Sequence, residues 1–146
     1  MDKVMVRARM SLGTQLSFAL YGAANRMARM HKPFLTPLGL TFPQYLVMLS
    51  LLEVSPVSVG KLGDRLDMDT GTITPLLKRL DGAGIVTRQR DPSDERRVLV
   101  SLTPYGRSLE NDIVGITGKI QSACDLDDES LGALRGLLEV LAHPAR

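Results

Sequence analysis

The stretch at residues 66–103 restricts the possible folds more than any other part of the chain. It reads LDMDTGTITPLLKRLDGAGIVTRQRDPSDERRVLVSLT. Ile73, Leu76, Leu77 and Leu80 recur at helical spacing and make one apolar face. The spacing predicts a short amphipathic helix over residues 69–80. Asp69, Thr70 or Thr72 can cap its start, because a side-chain oxygen there accepts from an unpaired first-turn N–H. Pro75 is tolerated near a helix start and costly deeper in, which puts it in the first two turns. Gly82 and Gly84 end the helix.

A hairpin follows at once. Residues 85–90 and 97–102 are β-branched and alternating, the signature of half-buried strands. Asp91, Pro92, Ser93 and Asp94 between them are turn chemistry. Arg88, Arg90, Arg96 and Arg97 cluster here, with Asp94 and Glu95 among them. Asp94 can hold the Arg96 guanidinium in a bidentate pair and aim it into a minor groove. A solvated hairpin with local ion pairs is the bland alternative. The capped helix immediately before it favours DNA contact. Helix plus basic hairpin is the outline of a winged helix-turn-helix, with the helix in a DNA groove and the hairpin beside it. Thr70, Thr72, Thr74, Lys78 and Arg79 are expected at the major groove and its flanking phosphates. Arg88, Arg90 and Arg97 are expected at the backbone, and Arg96, braced by Asp94, in the minor groove.

Composition sets the limits. A chain of 146 residues is one domain, or one domain with a dimerisation layer. The net charge of +2 does not indicate nucleic acid by itself. The positive charge has to be concentrated locally, and the hairpin concentrates it. One cysteine excludes an internal disulfide and a Cys-based zinc site. Two histidines without ligand spacing give no metal site, and no cofactor is expected. There is no signal peptide and no membrane-spanning apolar run, so a cytoplasmic protein is expected. An enzyme is not expected. Ser17 and His31 are the one imaginable nucleophile and base, and fourteen residues of helix would hold them roughly 21 Å apart.

Along the rest of the chain, residues 1–10 are expected to fray. Leu12, Leu16, Leu20, Ala23, Met27, Met30 and Phe34 describe one long helix, bent or stopped near Pro33. A second helix starts at Thr41 or Phe42 with Pro43 at its first position, and its apolar run implies burial on every side. Residues 55–57 end it. Ser58 caps a third helix over residues 59–66, and Asp67 and Met68 join it to the 69–80 helix as a helix-turn-helix pair. Thr103 and Pro104 open a helix running to about residue 122, weakened by Gly106, Gly115 and Gly118. Leu131, Leu134, Leu137, Leu138 and Leu141 make a last helix before His143, which is expected to be frayed tail.

The fold class is therefore mainly α with a small β-hairpin wing. One domain spans residues 1–146, with a DNA-binding region at about 41–103. The helices at about 10–36 and 104–142 carry more apolar surface than one small domain needs, which suggests a homodimer. Two-fold symmetry sets two recognition helices about one DNA turn apart, so the partner is a double-stranded, inverted-repeat operator.

GTITPLLKRLDGAGIVTR and DPSDERRVLVSLTPYG, taken together, resemble the MarR family of winged-helix transcription regulators, over nearly the whole chain. LSFALY at residues 16–21, KPFL at 32–35 and LTFPQYLVML at 40–49 look like its organic hydroperoxide sensing branch, the OhrR regulators. The resemblance implies a repressor that leaves its operator when a first-helix cysteine is oxidised. Ser17 stands at that position here, and a hydroxyl has neither the thiolate nor the oxidation ladder this needs. His31 and Phe42 stand where the branch has two tyrosines that hydrogen-bond the sulfur; Tyr21 and Tyr45 remain. His31 is expected on the helix surface or as a hydrogen-bond partner near Ser17. Cys124 lies where two-cysteine members place a resolving cysteine, and is otherwise a half-buried bystander. Ser17 is either an engineered replacement that holds the reduced, DNA-binding form, or a natural change in a relative that reads another signal, such as a small phenolic ligand.

Overall fold

A computed structural model describes residues 2–144. Eight helices and a three-stranded antiparallel sheet are seen among them. α1 is Lys3–Arg9 and α2 is Leu16–Leu35. α3 is Phe42–Glu53, α4 is Val59–Leu66 and α5 is Thr70–Gly82. Strands β1 (Val57–Ser58), β2 (Val86–Asp91) and β3 (Asp94–Leu102) are ordered β1-β3-β2. α6 (Pro104–Ser108), α7 (Glu110–Ala123) and α8 (Asp128–Ala142) complete the chain.

The core lies where α3 meets α5, the sheet and α7. Val47, Met48, Leu51, Leu62, Ile73, Leu77, Leu80, Val86, Val100 and Ile113 are almost wholly enclosed. Each is an apolar side chain removed from water, which contributes roughly 1.5–3 kcal/mol apiece. The helix starts are set by side chains. Thr41 and Gln44 form a reciprocal capping box on α3, Ser58 accepts from Lys61 N on α4, and Asp127 accepts from Ser130 N on α8.

Several expectations are corrected. The N-terminus is helical at Lys3–Arg9 rather than frayed. The long first helix does not begin at Leu12: Leu12–Thr14 is a 3-10 turn and α2 starts at Leu16. Leu12 and Leu16 are about two-thirds exposed, so the apolar stripe there is left largely uncovered. Pro33 does not stop α2, which continues to Leu35 before a 3-10 turn at Thr36–Leu38. Val57 is not only a helix end. With Ser58 it makes β1, pairing Val100 and Leu99 of β3. The helix after Pro104 is two helices. Leu109 N bonds to Gly106 O, three residues back, and this tighter step separates α6 from α7. Among the described residues no single helix is long and apolar enough to cross a membrane.

Candidate nucleic-acid interface

The site is built from α5 and the β2–β3 hairpin. Asp69, one of three candidate caps, is the residue that caps α5. Its Oδ1 accepts from Thr72 N at 2.8 Å, and hydrogen bonds from Thr72 hold its carboxyl below the usual carboxylate range. Ile73, Leu76, Leu77 and Leu80 face the core as the spacing required. Pro75 sits inside the second turn. The helix runs two residues beyond the expected end and stops in a Schellman arrangement. Gly84 has φ +76°, Gly84 N bonds Asp81 O and Ile85 N bonds Leu80 O. With the apolar face spent on the core, Thr70, Thr72, Lys78 and Arg79 are left exposed and Thr74 half-buried.

The hairpin is longer than its alternation suggested. Its pairing runs from Val86↔Leu102 to Arg90↔Val98, then steps to Asp91↔Asp94. Glu95, Arg96 and Arg97 therefore lie between pairing points that are adjacent on β2, and form a bulge near the tip. Asp91, buried, accepts from Ser93 N at 2.9 Å and closes the tip.

Arg96 is more exposed than Arg88 or Arg97. Its side chain is 90% exposed, yet Nε and a terminal nitrogen reach the two Asp94 oxygens at 3.1 and 3.4 Å. Arg96 N donates to the same carboxylate at 3.1 Å. The hydrogen bonds from the Arg96 side chain, then from its backbone, hold the Asp94 carboxyl below its ordinary range. A lowered folded value means that the brace is complete above the ordinary carboxylate range and is lost only as pH falls through the lowered value. We therefore expect Asp94 to titrate below a free Asp in a carboxylate-detected NMR titration, and to return towards the free value in Arg96→Ala. An Asp94 that titrates normally in the parent chain would show that the brace does not form in solution.

The other arginines are also engaged. Arg90 donates to Glu95 O at 2.7 Å, and Arg97 Nε lies 3.9 Å from Asp91 Oδ2. Arg88, expected at the DNA backbone, is paired with α5 in this structure. Its Nε donates to Asp81 Oδ2 on α5 at 2.9 Å, and the pair is about one-third exposed. Asp81 was missed because it lies seven residues before Arg88, with the helix end between them. A groove of about 420 Å³ separates α5 from the hairpin, with Thr70, Thr74 and Leu77 on one wall and Arg88, Arg96 and Arg97 on the other.

The residues expected around a sensor fall into two groups. Ser17 and Tyr21 are exposed near the start of α2. His31, Phe42 and Tyr45 cluster where α2 meets α3, with His31 ring centroids 4.7 Å from Phe42 and 5.2 Å from Tyr45. His31 is not a surface residue. It is 5% exposed and its Nδ1 bonds Met27 O at 2.7 Å. The Tyr45 hydroxyl crosses to Thr117 of α7 at 2.9 Å. Cys124 is half-buried at the end of α7. His143 is tied down rather than frayed: Nε2 lies 3.1 Å from Asp67 at the α4–α5 turn.

A capped helix with an exposed polar face, laid beside a hairpin that carries a braced arginine, defines a winged helix-turn-helix DNA-binding protein. Residues 40–98 match the model of the MarR family. The organic hydroperoxide resistance transcriptional regulator of Bacillus subtilis is 42% identical over 132 residues, covering 90% of each chain. The HTH-type transcriptional regulator MgrA of Staphylococcus aureus is 34% identical and covers 91% of each. The fold is similar to that of reduced AbfR bound to DNA, from Staphylococcus epidermidis. There the TM-score is 0.77 at 33% identity, covering 95% of this chain and 97% of that one. The chain belongs to the MarR family, and it is a DNA-binding transcription regulator.

Proposed function

We propose that the chain is a homodimeric repressor that binds an inverted-repeat operator and has lost sulfur-based peroxide sensing at residue 17. The observation that carries the DNA assignment is Arg96, 90% exposed and still held by Asp94 beside the polar face of α5. Thr70, Thr72, Thr74, Lys78 and Arg79 meet the major groove and its phosphates. Arg90 and Arg97 meet the backbone, and Arg96 the minor groove. The terminal helices form the dimer layer, at about residues 10–36 and 104–142. The support for this is apolar surface without cover: Leu16, Phe18 and Tyr21 on α2, and Leu134, Leu137, Leu138 and Leu141 on α8, which buries nothing. A two-fold pairing hides such surface and repeats the reading head one DNA turn away.

The 42% identity to an organic hydroperoxide resistance regulator supports a lineage in the peroxide branch, and Ser17 supports a departure from it. A serine hydroxyl forms no sulfenic acid. We expect cumene hydroperoxide to leave the operator complex intact in a gel shift, and the Ser17→Cys variant to gain peroxide-dependent release. Release of the parent chain would contradict this and place the chemistry at Cys124. A second reading, in which a small phenolic or similar ligand is the inducer, is favoured by one observation. A cavity of about 310 Å³ lies beside the His31 cluster, with Lys32, Thr41 and Phe42 in its wall. Ligand-dependent release without peroxide separates the two.

A further inference from the structure

Four arginines lie on the hairpin, and their partners differ in one respect. Arg96 pairs with Asp94, Arg97 lies near Asp91 and Arg90 bonds Glu95 O, all inside the hairpin. None of these contacts can fix the hairpin relative to α5. Arg88 alone among them reaches α5, through Asp81. Asp81 sits one helical step beyond Thr70, Thr74 and Leu77, the residues that form the α5 wall of the groove. Arg88 sits midway along β2, opposite Val100 of β3, which is fully buried. The pair therefore joins α5 to β2 beside the groove, between the buried root of the hairpin and the bulge that carries Arg96.

We propose that Asp81–Arg88 is a strut that sets the angle between recognition helix and wing, so that Arg88 is a positioning residue and not a phosphate contact. The inference rests on the DNA-binding reading above. A duplex presents its major groove and the flanking minor groove at a fixed separation. Threonines on α5 and Arg96 on the wing can be seated together only if helix and hairpin keep one relative orientation. Packing holds the hairpin at its root, through Val86, Val100 and Leu102. Beyond Arg88 most of the hairpin is exposed, Asp91 excepted, and its arginines pair within the hairpin, so the strut is the ion pair that ties it to the helix. Charge points the same way. The Arg88 guanidinium is already neutralised by Asp81, so seating it on DNA would release little counterion and would strand a carboxylate beside phosphates.

The test compares Arg88→Gln, Asp81→Asn and the double variant on a specific duplex and on a scrambled one, over a range of salt. The strut predicts that each single change weakens specific binding about tenfold, as expected for a charge-assisted hydrogen bond. The scrambled duplex is bound within about twofold of the parent, since phosphate contacts are untouched. The double variant loses no more than either single one, because the two residues act as one unit. The salt slope of Arg88→Gln matches the parent. A slope reduced by about one, with Asp81→Asn binding more tightly than the parent, would make Arg88 a direct phosphate contact and overturn the strut. Additive losses, or no loss in either single variant, would also overturn it. Thermal melts of the same proteins separate misplacement from unfolding. A parent chain that binds neither duplex would overturn the DNA-binding reading itself and the strut with it.

Discussion

Replacing Arg96 by alanine weakens operator binding by about 1–3 kcal/mol and leaves thermal unfolding unchanged. Both halves follow from where the residue sits. Its side chain is 90% exposed and stands on a bulge. Removing it costs the fold one solvent-screened pair with Asp94, and exposed pairs contribute little. Its loss at DNA is larger, because the brace has already fixed the guanidinium and less rotamer freedom is lost on binding. A narrow minor groove concentrates negative potential, which is where a single aimed cation acts most strongly. Anisotropy titrations of parent and variant at moderate salt, with a melt of each, measure both halves. Equal affinities would remove Arg96 from the interface.

Gly106→Ala destabilises the protein by about 3 kcal/mol, near the upper end for overpacking a close contact. The sequence alone marks Gly106 only as a weakness in a helix. The structure gives it a reason. A methyl group there would lie well inside contact distance of the Ile85 carbonyl oxygen and 3.2 Å from Leu102 Cδ2. The backbone cannot move aside cheaply. Thr103 N donates to Ile85 O at 3.0 Å, Thr103 Oγ1 donates to Gly84 O at 2.6 Å, and Gly106 N donates to Thr103 Oγ1 at 3.0 Å. This knot joins the end of α5, the root of the wing and the start of α6, so the strain spreads into the DNA-binding region. Gly115→Ala is the control. Within the single chain a Cβ there meets nothing within 4 Å, and the change gains helix propensity. Urea melts of the two variants should move in opposite directions. A Gly106→Ala midpoint equal to the parent's would show that the α6 contact is not as tight as described.

The parts legible in the sequence were those fixed by local patterns. Ile73, Leu76, Leu77 and Leu80 carry their helical face in their spacing, and Thr41 and Phe42 before Pro43 announce a helix start. The turn residues 91–94 locate the hairpin, and Asp94 two residues before Arg96 is close enough for the brace to be foreseen. What was hidden depends on residues far apart in the chain. β1 is two residues long and exists only because Val57 finds Val100. Asp81 and Arg88 meet across a helix end. His31 looks like one more polar residue on a long helix, and only the packing of α3 against α2 buries it beside Phe42 and Tyr45. The apolar positions of α2 and α8 were visible as periodicity, and their excess over what one small domain needs already suggested a dimer.

Hydroxyl-radical footprinting of parent and Arg96→Ala on one inverted-repeat duplex tests the central claim most directly. The account predicts two protected segments about one helical turn apart, each flanked by a protected minor groove that becomes reactive in the variant. A single unrepeated footprint, or flanking protection that survives the loss of Arg96, would contradict it.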